Sequence, residues 1–402
     1  MTGDYLENYQ LVSQESPQKP WGKFIRIAAL NILFWGYLIT SLFGARPLII
    51  RGSSYADKGD YKTAIIYYNI AALISHQKQY AYYNRGVAYA QQNNTDLALA
   101  DFNKTIEIDP NFSSAYVGQC AVHNAQNNYD LAITECTKAI DLGVNEVQAY
   151  LNRGWAYFNT EQYDSAVSDL TAGIGMDPNN SVIYQTRGLS YTALEKYELA
   201  ISDFSKSTEI DPSNKKSYFG RGLVYSSTGQ QDLAIADFTK TVEIDQNYLP
   251  AFYMRGESYR RMENYESAVV DYSKVIELDP NYKRVYFYRG IAYIALGKNE
   301  LAIVDLEKAA EKEPQKADVF IWLGHGYANT KQFSLAISAY KQSISVTQEA
   351  YTYCVLGVTY TKMSDFPSAI GAFENGIKLD NKNELAWCDT ALENAKQGTP
   401  TP

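Results

Sequence analysis

The chain has 402 residues, a net charge of −9 and an isoelectric point near 5.1. That acidic balance excludes the basic face on which non-specific nucleic-acid binding depends, and a hydrophobic content of 46% excludes a disordered chain. Four cysteines, Cys120, Cys136, Cys354 and Cys388, form neither a CxxC pair nor a recognisable disulfide framework, which leaves the redox compartment open.

In chain order, residues 1–22 read as a polar tail. From Ile27 to Phe43 the sequence IAALNILFWGYLITSLF carries no charge. Taken as Phe24–Gly44, the block is 21 residues, and about 20 apolar residues span a bilayer as a helix. The reading is a transmembrane helix over 23–44, with Arg26 snorkelling and Trp21 at the interface. A cleaved signal peptide fits worse, because the small-residue exit FGA (43–45) puts Phe43 in the wrong place. A hydrophobic helix capping the rest of the chain is the other alternative. Lys19, Lys23 and Arg26 on one side balance Arg46, Arg51 and Lys58 on the other, so charge sets no orientation.

Beyond residue 44 the chain repeats. Gly52, Gly86, Gly154, Gly188, Gly222, Gly256, Gly290 and Gly324 recur at intervals of 34 residues or twice that, with Cys120 in the missed place and Gly357 one residue early. A fixed period of this length means stacked units. With the glycine as position 8, ten units fill 45–383. Position 20 is Ala in all ten. Position 11 is Tyr in nine, with His123 the exception, and position 4 is aromatic in nine, with Leu48 the exception. Pro110, Pro178, Pro212, Pro280 and Pro314 occupy position 32. Each unit shows two apolar blocks at helical spacing around a polar turn such as QQNNTD, and therefore two antiparallel helices. Gly and Ala let the helices approach, and the proline stops the second one.

This pattern resembles the tetratricopeptide repeat family: aromatic at 4, Gly at 8, Tyr at 11, Ala at 20, aromatic at 24, Pro at 32. The resemblance implies an all-α fold, a right-handed superhelical solenoid of antiparallel helix pairs, here preceded by one transmembrane helix. Residues 384–397 read as a capping helix and 398–402 as a disordered tail.

Positions 7 and 23 change together inside the chain. Arg85/Asp101, Arg153/Asp169, Arg187/Asp203, Arg221/Asp237, Arg255/Asp271 and Arg289/Asp305 are Arg with Asp, whereas units nine and ten hold Leu323/Ala339 and Leu356/Ala372. Unit three has Gln119 with Glu135, and only Arg51, facing Tyr67, breaks the pairing. The co-variation predicts a buried ion pair across the two helices of the six Arg–Asp units. No phosphate loop, dinucleotide fingerprint or HExxH is present, and the three histidines lie far apart. His123 stands in a packing place and reads as a satisfied core histidine. Cys120 and Cys136 read as core thiols, with a disulfide the alternative. No catalytic residue, cofactor or metal is expected.

In the family the first helices line a concave face through positions 2, 5, 9 and 12. Apolar residues there give a candidate partner-binding groove: Tyr83, Trp155, Phe158, Phe219, Tyr253, Phe287, Ile291 and Ile321. Lysine is absent from position 5, unlike the family's carboxylate-clamp subtype. Lys216, Arg260, Arg261 and Arg284 form a candidate basic rim. The expected function is a single-pass, membrane-anchored scaffold that holds a protein or peptide segment, aiding assembly of a membrane complex. The alternative is a structural subunit that self-associates into an oligomer or filament. Neither the partner nor the side of the membrane is legible.

Overall fold

A computed structural model describes residues 46–143, 146–282, 284–381 and 384–399. The polar tail (1–22), the transmembrane helix expected over 23–44 and residues 400–402 lie outside the described residues. Among the described residues no helix is long and apolar enough to cross a membrane.

The described chain is all α-helical, with twenty-one helices in two compact bodies. The first body (46–177) holds four helix pairs: α1 (Arg46–Ala56) with α2 (Tyr61–Ile74), α3 (Lys78–Gln91) with α4 (Thr95–Ile108), α5 (Ser113–Ala125) with α6 (Tyr129–Asp141), and α7 (Val147–Asn159) with α8 (Tyr163–Met176). The second body (178–399) holds six: α9 (Ser181–Ala193) with α10 (Tyr197–Ile210), α11 (Lys215–Ser227) with α12 (Gln231–Ile244), α13 (Leu249–Arg261) with α14 (Tyr265–Leu278), α15 (Val285–Ala295) with α16 (Asn299–Lys312), α17 (Ala317–Asn329) with α18 (Phe333–Val346), and α19 (Ala350–Lys362) with α20 (Phe366–Leu379). The closing helix α21 (Ala386–Lys396) packs on α20. Within each body, each helix pairs most closely with its partner in the unit and next with the helix that follows. This is a helical repeat solenoid.

The turn inside each unit has one geometry. Position 15 takes a left-handed backbone in every unit: Gly59, Asn93, Asn127, Glu161, Glu195, Gly229, Glu263, Gly297, Lys331 and Ser364 have φ between 56° and 81°. A side chain there costs about 1–2 kcal/mol. The turn therefore constrains backbone shape, not residue type, and leaves little trace in the sequence. Second helices end as expected at position 31. Asp109, Asp211, Asp245 and Asp279 turn extended, and each carboxylate accepts the amide two residues on, at 2.8–3.1 Å. A proline follows Asp109, Asp211 and Asp279, and the aspartate closes the turn that it enforces; at Asp245, which Gln246 follows, the aspartate closes the turn alone.

Position 8 is small because of the side chain at position 24. A Cβ on Gly86 lies 2.9 Å from the Phe102 ring, one on Gly222 2.7 Å from the Phe238 ring, and one on Gly290 2.7 Å from Leu306. The alanines at position 20 are fully buried. In unit three the same two places hold Cys120 and Cys136, and they are joined by a disulfide, Cα–Cα 5.4 Å. A second disulfide joins Cys354 to Cys388 of α21, Cα–Cα 5.7 Å. The expectation of core thiols and of no disulfide framework is thus overturned. The contact between positions 8 and 24, made elsewhere by glycine and a ring, brings Cys120 and Cys136 together. Gly398 and Thr399, expected to open the disordered tail, instead close α21, with both amides donating to carbonyls of its last turn.

Candidate functional site

In six units the arginine at position 7 is a clasp. Its Nε and Nη2 donate in parallel to both oxygens of the aspartate sixteen residues on, as in Arg221 with Asp237 at 2.8 and 2.8 Å and Arg289 with Asp305 at 2.6 and 2.8 Å. Arg85, Arg153, Arg187 and Arg255 do the same. This planar two-point grip is what a guanidinium offers and an ammonium does not. The rings at positions 4 and 11 flank it: Tyr184 and Tyr191 lie 5.8 and 5.6 Å from the Arg187 guanidinium. Burial pushes the Asp271 carboxyl up against the pull of Arg255, whose own pKa the pair raises.

The remaining nitrogen makes a bond the sequence reading missed. Arg85 Nη1 donates to Asn69, Arg153 to Thr137, Arg221 to Ser205, Arg255 to Thr239 and Arg289 to Ser273, all at position 25 of the preceding unit. Gln119, which stands for the arginine in unit three, still donates to Asn103 at 2.8 Å. The arginine row therefore links unit to unit as well as helix to helix. The signal was available, since position 25 is a small polar residue before each such unit and becomes Glu307 and Lys341 where Leu323 and Leu356 follow.

The expected groove residues fall into two groups. Phe287 and Ile321, at 3% and 9% exposure, are core, and so correct the sequence reading of both as groove lining. Tyr83, Phe219 and Tyr253, also at position 5, are partly buried and wedged inside the repeat. The Tyr83 ring lies 5.2 Å from Phe112 and Phe219 lies 5.3 Å from Tyr248 and 5.7 Å from Phe238, while Tyr253 lies 5.1 Å from Tyr282. The aromatic residue ending each of these units folds over position 5, so the solenoid does use this position for its own packing. Burial pushes the Tyr253 hydroxyl pKa up. Positions 9 and 12 differ. In the first body Trp155 and Phe158 stack on one another at 5.7 Å, both partly buried. In the second body Ile291 is partly buried, as are Leu189 and Leu223 of the same register.

Polar residues interrupt that register for a structural reason. Where position 24 is Tyr, position 9 hydrogen-bonds its hydroxyl: Ser53 with Tyr68 at 3.2 Å, Glu257 with Tyr272, and His325 Nδ1 with Tyr340 at 2.9 Å. Where position 24 is Phe or Leu, position 9 is Val87, Trp155, Leu189, Leu223, Ile291 or Val358. A buried hydroxyl must be paired, so the core dictates polarity at the surface. His325 also meets Tyr351 at 3.2 Å through Nε2, and burial holds its pKa down to about 4. His123, expected to be a satisfied core histidine, has a buried Nδ1 without a hydrogen-bond partner, and burial depresses its pKa.

Two of the four basic-rim residues are neutralised. Arg260 pairs with Glu257 at 3.0 Å, and Arg284 pairs with Asp318 at 2.7 Å while lying 4.3 Å over the Phe287 ring. Lys216 and Arg261 are exposed. Arg284 also borders a cavity of about 630 Å³ with Tyr288, Glu313, Lys316, Asp318 and Glu349. Glu313 Oε2 lies in that wall, 3.8 Å from Arg284 Nη1. Both signs of charge line it. Among the described residues no group of His, Cys, Asp and Glu is placed to hold a metal ion.

Family models described as tetratricopeptide repeat match residues 80–112, 147–180, 182–214, 215–248 and 284–316, and one described as TPR repeat matches 256–297. A search of curated proteins found no match. Among solved structures, a MamA protein is 25% identical, covering 42% of this chain and 93% of its own, at a TM-score of 0.40. YrrB, described as a TPR protein with an unusual peptide-binding site, is 24% identical, covering 45% and 93%, at 0.39. PilF of Pseudomonas aeruginosa is 19% identical, covering 51% and 93%, at 0.46. The repeat register, the clasp and the family matches together make the chain a tetratricopeptide-repeat protein.

Proposed function

We propose that this chain is a membrane-anchored scaffold that binds a protein or peptide segment and acts without catalysis or cofactor. The observation that carries the binding reading is the Trp155–Phe158 stack on α7. Two adjacent large rings stay partly open there, on a helix whose closest approach to α8 is made by Gly154 and Leu170, while the Phe158 ring also lies 5.7 Å from Tyr163 of α8. Partly open aromatic pairs of this kind concentrate binding energy at protein interfaces. A non-catalytic role is supported by the state of the reactive groups: all four thiols are bonded, and the buried aspartates are committed to arginines.

The anchor reading rests on the uncharged run Ile27–Phe43. The full chain should stay with membranes through an alkaline carbonate wash, and release by carbonate would overturn the anchor. The two disulfides favour an oxidising compartment for the repeats. Alkylating the thiols before and after reduction tests that side, since free thiols before reduction would overturn it. Binding is tested by crosslinking in intact membranes followed by pulldown. Trp155→Ser with Phe158→Ser should lose the partner that the parent chain captures, and equal capture by both would overturn the site.

A further inference from the structure

The repeat supplies its own control for what an outward face looks like. At positions 26 and 29 of the second helix, units two, five, six and seven carry Lys with Glu, joined as Lys104–Glu107, Lys206–Glu209, Lys240–Glu243 and Lys274–Glu277 at 2.6–3.2 Å. These pairs are solvated and finish the outer surface of each helix. Unit one breaks the rule. Its second helix, α2, places Ile70 and Leu73 at the same two positions, 42% and 77% exposed, with Ile66 one turn earlier at 58%. Residues 66, 70 and 73 share one face of a helix. Position 22 is apolar elsewhere too, as at Val270 and Val304, so the weight rests on Ile70 and Leu73. The exposed side of the helix YKTAIIYYNIAALI carries Ile66, Ile70 and Leu73 beside Lys62 and Asn69.

Two further observations name what lies against it. Only Gly44 and Ala45 separate Phe43, the end of the uncharged run, from Arg46 at the start of α1. Three residues reach about 11 Å at most, so α1 begins beside whatever holds that run, and α2 is the helix paired with it. The same hairpin is also locally basic in an acidic chain: Arg46, Arg51, Lys58 and Lys62 outnumber Asp57 and Asp60. An apolar helical face beside bases, next to a membrane span, fits an anionic bilayer surface: side chains enter the headgroup boundary and bases meet lipid phosphates.

We propose that the first repeat is a membrane-docking module whose α2 face, Ile66, Ile70 and Leu73, lies on the anionic surface of the bilayer that holds residues 27–43. The docking rests on the anchor reading for its nearness to the bilayer, but the face and its charge stand without it. Such a contact fixes the first unit against the membrane and leaves the units stacked on it free to meet a partner.

The full chain, reconstituted in vesicles of phosphatidylcholine and phosphatidylglycerol that carry a photoactivatable phospholipid, tests this by peptide mapping. Label is expected in 27–43 and in 63–74, with none in 100–108 of α4, the matching face of unit two. Ile70→Lys with Leu73→Glu, which copies unit two, should lower the label on α2 to the level of α4 at an unchanged melting temperature. Label in 27–43 without 63–74 overturns the docking and leaves the anchor. Label in 63–74 without 27–43 supports the docking and overturns the anchor. Label in neither overturns both. Crosslinks from α2 to residues 27–43, or to a second copy, in place of lipid also overturn it.

Discussion

Removing one partner of the clasp should cost more than removing both. Consider Arg221 and Asp237, whose side chains are 18% and 8% exposed. Asp237→Ala leaves a guanidinium with two of its three hydrogen bonds gone and its solvation only partly restored. Loss of one partner of a buried pair costs about 3–5 kcal/mol. The residual exposure of Arg221 places this case near the lower end, at about 3 kcal/mol. Arg221→Leu with Asp237→Ala copies unit nine, where Leu323 and Ala339 are both buried. It removes the stranded charge, regains apolar burial, and loses the bond to Ser205, worth about 1 kcal/mol. At roughly 2–4 °C per kcal/mol for a body of this size, the single variant should melt about 6–12 °C below the parent and the double well above the single. Circular dichroism on the purified chain measures both. A double variant that melts lower than the single would refute the claim that a stranded guanidinium, and not the lost pair, is the dominant cost.

Three further outcomes follow from the same contacts. Reducing agent should accelerate amide exchange in α5 and α6 and in α19 to α21, where the disulfides lie, and Cys120→Gly with Cys136→Phe should make α5 and α6 indifferent to it; uniform exchange before and after reduction counts against the staples. Phe219→Ser should destabilise by about 3 kcal/mol, because the ring packs on Phe238 and Tyr248, whereas Trp155→Ser should cost far less; equal losses contradict the division between core and open rings. His325 is held neutral by burial, with its pKa down from 6.5 to about 4. The unfolded chain therefore binds the extra proton in that window, and stability should fall as pH drops from 6.5 to 4, by about 3 kcal/mol at the lower end. His325→Gln should flatten that slope, and an unchanged slope refutes the assignment.

Much of the fold was legible because repetition turns one chain into its own alignment. The 34-residue period marked out the helix pairs. The joint change of positions 7 and 23, from Arg289 with Asp305 to Leu323 with Ala339 in the next unit, pointed to the ion pair. Three features escaped for distinct physical reasons. The left-handed residue at position 15 tolerates Glu, Lys and Ser at modest cost, so no residue type marks it. The disulfide Cys120–Cys136 was hidden by reading each cysteine as a packing substitute, although the places they fill are the two that touch in every other unit. The groove was overdrawn because family geometry assigns position 5 to the binding face, while Phe112, Tyr248 and Tyr282 fold over that position here. The bond from arginine to position 25 and the rule that a tyrosine at 24 demands a polar partner at 9 were both written in the sequence, but only the contacts say which columns to compare.

The two disulfides do not fall at random among the units. Unit three has Gln119 and Glu135 in place of the clasp, and burial pushes the Glu135 carboxyl up with no arginine to oppose it. That unit holds Cys120–Cys136. Unit ten has Leu356 and Ala372, and its α19 is stapled to α21 by Cys354–Cys388. Units one and nine also lack the clasp and have no disulfide: in unit one Arg51 faces Tyr67, and in unit nine Leu323, Tyr327 and Tyr340 join a continuous core with Phe287 and Leu306. Solenoid stability is a sum of unit and neighbour terms, so a unit without its ion pair is a weak point through which the array can open. A covalent bridge closing 16 or 34 residues restrains such a unit by about 3–4 kcal/mol, comparable to what loss of a clasp partner costs. Covalent, ionic and apolar links thus substitute for one another along the same row, and the ion-paired units need no cysteine.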